Sequence, residues 1–250
     1  MIDAILPDQL SSGWALVLFA LSFIASAFTV AFGIGGGVAL IAVLLQILPP
    51  AIVIPIHGLV QTGSNAGRAW TMREHIRVPI VKWFAMGAVI GVILASLIFF
   101  SLPTRGLTVA LGLFILWSVW APKYKASSIP DKGFAGVGAL ASFLTMFLGA
   151  TGPIVAAFWN QEKLGKEGQV ATHGAVMTIV HGFKVIAFGF LGFAFSEWMV
   201  FLILMVLSGY AGTLLGKRVL SHFDERTFSI GFKAVLTLLA LRLVWQGITG

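Results

Sequence analysis

Five residues in one apolar stretch have the types and spacing to do chemistry: His57, Gln61, Ser64, Asn65 and Arg68. At 100° per residue they fall within an arc of roughly 100°, so a helix through this stretch carries one polar stripe on an otherwise apolar surface. If that helix lies in a bilayer, the cation alone costs at least about 2.5 to 3.5 kcal/mol unless it faces a cavity or a partner. The stripe offers hydrogen-bond donors and one permanent positive charge, a set suited to holding an anion. Farther along the chain His173, His181 and Lys184 repeat the pattern, although Met177 and Val180 stand where Gln61 and Ser64 stand in the first copy. Snorkelling of Arg68 and Lys184 to the interface and hydrogen bonding of His57 and His173 between helices are the purely structural readings of the same residues. The histidines are also candidates to carry a coupling proton, since imidazole titrates near neutrality.

Two glycine-rich interruptions accompany the polar stretches, GIGGG at 33–37 and GATGP at 149–153. Both sit inside apolar sequence, where an unpaired backbone is tolerated only against protein or a cavity. A helix restarting after such a break presents free N–H groups and the positive end of its dipole, an anion site. Gly35, Gly36 and Gly37 precede one such start; Thr151, Gly152 and Pro153 precede the other, where proline suits a first turn. Close helix packing is the competing use of these glycines.

The elements that must position these groups follow from composition. Residues of apolar type make up 58% of the chain and charged residues 10%, and mean hydropathy is +0.99. Ordinary soluble domains carry about a quarter charged residues, so a water-soluble fold is excluded. Length allows roughly six to eight spans and no separate soluble domain. Net charge is +7, but Lys and Arg are scattered between apolar runs and form no stripe for nucleic acid. Cysteine is absent, which removes disulfides, thiol nucleophiles and cysteine metal sites. Asp3 and Asp8 before the first segment, with no basic region, read as a retained segment and not a cleaved signal.

Apolar segments run over 14–32, 38–48, 51–72, 78–100, 104–120, 134–148, 153–160, 169–191, 197–216 and 228–247, three of them too short to span. Sliding the chain against itself reveals a repeat at an offset of 116 residues. Ala25, Ser26, Thr29, Gly33, Gly36, Leu48, His57, Gly58, Val60 and Thr62 match Ala141, Ser142, Thr145, Gly149, Gly152, Leu164, His173, Gly174, Val176 and Thr178. Asn65 aligns with His181 and Arg68 with Lys184. Basic residues cluster in four connections: Arg73, Arg77 and Lys82; Lys123, Lys125 and Lys132; Lys163 and Lys166; Lys217, Arg218 and Arg226. By the positive-inside rule these four are cytoplasmic, while 101–105 and 191–197, with Arg105 alone, face outward. The parity closes if each half is an interrupted hairpin returning to its own side, followed by three spans.

The expected fold is therefore an all-α polytopic membrane protein forming one domain over 1–250, with two pseudo-symmetric inverted repeats at about 10–121 and 130–250. Such inverted repeats alternate access around a midplane site. Segment 14–32 is long enough to cross completely, which would break the symmetry. Lys233 and Arg242 share a face of the last segment and serve either the path or a subunit contact.

The stretch FGIGGGVALIAVLLQILPPAIVIPIHGLVQTGSNAGRAW, with its echoes FLGATGPIVAAF and ATHGAVMTIVHGFKVIAF, resembles the TauE/SafE family of sulfite and organosulfonate exporters, also called TSUP. The resemblance covers essentially the full length. It implies outward transport of sulfite, sulfoacetate or related small sulfonates and carboxylates across the bacterial cytoplasmic membrane, without a cofactor, with protons or Na+ as candidate coupling ions and a homodimer as a candidate assembly. An intramembrane enzyme lacks its catalytic set here: no Gly-x-Ser-x-Gly, paired Asp or His-Glu-x-x-His occurs. A metal at His57, His173 and His181 would lack carboxylate and thiolate ligands. A membrane scaffold leaves the duplicated stripe without a role, and an anion channel remains open beside a carrier.

Overall fold

The computed structural model describes residues 6–32, 35–99, 103–121, 129–159, 161–219 and 225–250. Asp3, Gly33, Lys123 and Lys125 lie outside the described residues, as do the side chains of Lys163, Lys217, Arg218 and Arg226.

Where the sequence places ten apolar segments, ten α-helices form among the described residues: α1 (Ser12–Phe32), α2 (Gly36–Leu44), α3 (Pro50–Thr71), α4 (Val78–Ile98), α5 (Thr104–Trp120), α6 (Phe134–Leu148), α7 (Gly152–Ala156), α8 (Gln161–Phe190), α9 (Met199–Val219) and α10 (Glu225–Thr249). No strand occurs among the described residues. Proline sets several starts, in the first turns of α3, α4 and α7, where its missing N–H is not needed and its φ is already helical. Among the described residues, five helices are long and apolar enough to cross a membrane, over Ser12–Val30, Val78–Ile98, Leu164–Phe190, Phe195–Gly216 and Ile230–Thr249, and Thr104–Trp120 is a shorter apolar helix. At 22 residues, α3 has the length as well, and its polar stripe is what lowers its hydropathy. The surface confirms the solvent: Met86, Ile90, Leu97, Leu207, Leu238 and Trp245 are all exposed, an apolar exterior that hydrocarbon accommodates and water does not. This is an all-α polytopic membrane protein.

Helices α3 and α8 pack against each other in the middle, while α4 pairs with α6, α1 with α9 and α5 with α10. Glycine permits the closest of these approaches. A Cβ on Gly87 or Gly91 of α4 would run into the carbonyls of Ala135 and Ala139 on α6, and one on Gly212 of α9 would run into the carbonyl of Phe23 on α1. Backbones in such contact gain dispersion energy that lipid tails cannot supply.

At one end, a 3-10 turn over Arg73–His75 follows α3. There His75 meets Glu167 at 3.2 Å and Arg77 meets Asp131 at 3.7 Å, gathering the connections before α4, before α6 and at the start of α8 on one face. At the other end, residues 45–50 lie beside Thr104, Arg105, Gln246 and Gly247. The hairpin of α1 and α2 returns to this second face, where α3 begins. The hairpin of α6 and α7 returns to the first, where Trp159 stacks on Phe134 with centroids 5.1 Å apart. The starts of the short helices, Gly36 and Gly152, differ by the 116 residues of the sequence repeat. So do Pro50, the first residue of α3, and Lys166, which follows the non-helical Gly165 (φ 66°, ψ 169°) in α8.

Candidate functional site

The two helix breaks meet the α3/α8 pair around a cavity of about 40 Å³. A single water needs roughly 10 to 15 Å³ on the same measure, so the cavity admits a compact solute of a few heavy atoms. Pockets for drug-sized ligands run to several hundred Å³.

Nine of the residues singled out by sequence line this cavity: Gly35, Gly37, His57, Gln61, Asn65, Arg68, Gly152, His173 and His181. Gly36, Thr151 and Lys184 lie beside it. Gly36 donates its N–H to the Thr29 hydroxyl at 3.1 Å, and a Cβ there would run into the Ala25 carbonyl. Thr151 turns its hydroxyl to the Ala141 carbonyl at 3.2 Å. Lys184 is fully buried and donates Nζ to the Gly149 carbonyl at 2.8 Å, placing its charge at the carboxyl end of α6, where the helix dipole favours it. Its stem passes so close to α3 that a Cβ on Gly58 would sit 2.6 Å from Lys184 Cε. Ser64, the fifth member of the stripe, shares a 3.2 Å hydroxyl contact with Ser26 of α1.

Arg68 stands apart. It is 2% exposed, its Nε has no hydrogen-bond partner, and none of the described ion pairs includes it. Among the described residues, the buried polar set contains hydroxyls, amides, histidines and the two cations, but no Asp or Glu. A buried guanidinium without a carboxylate is an uncompensated charge, and here it borders the cavity.

The remaining walls are fixed. His57 Nε2 lies 2.9 Å from the Gly37 carbonyl, which can only accept, so this nitrogen donates. Asn65 gives its amide to the carbonyl of Gln61 at 2.8 Å and to that residue's Oε1 at 3.2 Å. Gly35 (φ 117°) turns the chain into α2 through a conformation that favours glycine, and Gly37 and Val38 bring the start of that helix to the cavity. The first N–H groups of a helix have no acceptor within it, and here the N–H of Gly36 is taken by Thr29.

Pro153, named from the sequence as the proline of the second helix start, lines the cavity as well, and so do Thr29, Val38, Ala150 and Met177, which the sequence did not mark as site residues. Thr29 and Met177 had a signal, as the repeat mate of Thr145 and as the counterpart of Gln61. Lys233 and Arg242 lie away from the cavity, the first over the Trp120 ring at 5.4 Å, the second donating to Gln46 Oε1 at 3.0 Å. No group of three or more His, Asp or Glu residues among the described residues could hold a metal ion.

Searches of curated proteins and of solved structures return no match. The sequence profile of the family described as "Sulfite exporter TauE/SafE" matches residues 18–243, a span that includes both breaks, both polar helices and every residue of the cavity wall. A profile match over nearly the whole length of an all-helical membrane fold leads to one assignment: the chain belongs to the sulfite exporter TauE/SafE family of membrane anion transporters.

Proposed function

We propose that the protein is a secondary carrier that exports a small oxyanion, sulfite or a compact organosulfonate or carboxylate, through the cavity between α3 and α8. The observation that carries this reading is Arg68, a buried cation on the cavity wall with no carboxylate to neutralise it. An oxyanion at this place accepts charge-assisted hydrogen bonds from the guanidinium. His57, Gln61, Asn65, His173, His181 and the start of α2 at Gly35, Gly36 and Gly37 complete the wall, and Thr151, Gly152 and Lys184 hold the second break against it. The small volume favours sulfite over longer sulfonates.

Alternating access is the mechanism, in a single transport unit made of repeats at about 10–121 and 130–250. Two features support the inverted arrangement: the hairpins return to opposite faces, and the helix pairings α4/α6 and α1/α9 exchange under the repeat while α3/α8 and α5/α10 map onto themselves. The face bearing His75, Arg77 and Lys132 is then cytoplasmic, in the bacterial cytoplasmic membrane. Protons or Na+ supply coupling.

The test is flux of labelled sulfite, sulfoacetate and taurine in proteoliposomes, with and without pH and Na+ gradients. Saturable flux that is lost in Arg68→Ala, in protein that still folds, is the expected result. Normal anion affinity in that variant would show that Arg68 has only a structural place.

A further inference from the structure

Trp159 lies just beyond α7, buried, outside every motif read from the sequence, and its indole Nε1 is 2.9 Å from His173 Nδ1. An indole N–H can only donate. Nδ1 of His173 must therefore present its lone pair, and a neutral imidazole with one nitrogen accepting carries its proton on the other. Nε2 is that other nitrogen, and it faces the cavity side of the ring: a Cβ on Gly152, itself a lining residue, would stand 3.5 Å from it. The ring cannot take a second proton without displacing the indole, because an N–H would then confront an N–H.

We infer that Trp159 is a positioning residue that locks His173 as a neutral Nε2–H donor toward the transported anion and removes it from proton coupling. The inference rests on the anion reading of the cavity given above. The indole is held by its stack on Phe134, with planes 20° apart, and meets the His173 ring at 80°, so the hydrogen bond is set by packing on both sides. The charged and titratable groups around His173 favour the same neutral state. From α3 comes Arg68, from its own helix His181. The 3-10 turn contributes His75, engaged by Glu167 at the surface, and the start of α4 contributes Arg77, whose backbone N–H donates to the hydroxyl of the neighbouring Thr172 at 3.0 Å. Helices α6 and α7 carry no charge. No buried carboxylate among the described residues would stabilise an imidazolium. The arrangement is specific to the second repeat, since Val43 is the residue 116 positions before Trp159 and cannot donate.

The experiment is nitrogen NMR of histidine-labelled full-length protein in proteoliposomes, recorded without substrate, with the His173 signal identified by its loss in His173→Gln. Wild-type protein should show the Nε2–H tautomer throughout the range of about pH 5 to 8 in which imidazole ordinarily titrates. In Trp159→Phe, which keeps the stack on Phe134 and loses the donor, His173 should become a mixture of tautomers that protonates at the acid end. Sulfite KM at neutral pH should rise about tenfold, the size expected for weakening one hydrogen bond to a charged ligand, with kcat within about twofold. An imidazolium or an Nδ1–H tautomer in wild-type protein overturns the inference, and so does a Trp159→Phe protein whose spectrum and KM are unchanged. If Trp159→Phe does not fold, the wild-type spectrum decides alone. Absence of sulfite transport by wild-type protein would count against the proposed function and leave the tautomer to be judged by its spectrum.

Discussion

The two polar helices occupy equivalent places in the sequence repeat, yet their cations behave differently. Arg68 of α3 borders the cavity with Nε unpartnered, whereas Lys184 of α8 is tied to the Gly149 carbonyl across a gap that Gly58 keeps open. The histidines diverge too: His57 donates to a carbonyl and His173 accepts from an indole. The breaks differ in the same sense. Gly36 is wedged against the backbone of α1, and Gly152 looks onto the cavity with ordinary clearance. On the function proposed above, the two matching stretches divide the work: Arg68 is left free to meet the anion, and Lys184 holds a break in shape.

The largest effect that could break this comparison lies at the cations. Arg68→Ala should weaken anion affinity about 100-fold or more, as loss of a buried charged partner does, while Lys184→Met should leave affinity within about threefold; equilibrium binding of labelled sulfite to both purified proteins reads the difference. Equal losses would mean that both cations hold the anion. Next come the breaks, where Gly36→Ala should cost about 3 kcal/mol or more, because its Cβ meets backbone that cannot move aside, and Gly152→Ala should cost little stability. Thermal unfolding in detergent separates the two. Gly58→Ala should destabilise by about 1 to 3 kcal/mol through its clash with the Lys184 stem, and most of that cost should vanish in a Lys184→Ala background; a double-mutant cycle with no coupling energy would show that the two side chains do not share this space. Smallest is the functional effect of Gly152→Ala, whose added methyl enters the cavity beside His173 and should raise KM a few-fold more for sulfoacetate than for sulfite. Uniform KM changes across anions of different size would place the ligand elsewhere.

Much of the architecture was legible because a bilayer leaves few options. Apolar runs must be helices, and the runs 78–100, 104–120 and 134–148 became α4, α5 and α6 with their ends within two residues. The glycine breaks were legible for the same reason: Gly35 and Gly149 adopt positive φ, the first immediately before α2 starts and the second where α6 stops. A repeat alignment, however, assigns equal places to aligned residues, and so it set Lys184 beside Arg68 without revealing that Gly149 captures it. The Trp159–His173 pair was hidden for another reason. Its partners are 14 residues apart across the turn that follows α7, and tryptophan in an apolar segment carries no mark that distinguishes a hydrogen-bonding indole from a packing one.

The glycine contacts that fasten α1 to α9 have a consequence for how the chain is made. As the ribosome emits the sequence from its amino end, α1 enters the bilayer before α2 to α8, and after them comes α9, whose backbone it must meet. While the intervening helices are made, the seam at Phe23 and Ala27 lies open to lipid or to an assisting insertase, and only when Gly212 and Gly216 arrive does it close. The early half is thus stitched to the late half, and a fragment ending near residue 121 would insert and yet remain an unfinished protein.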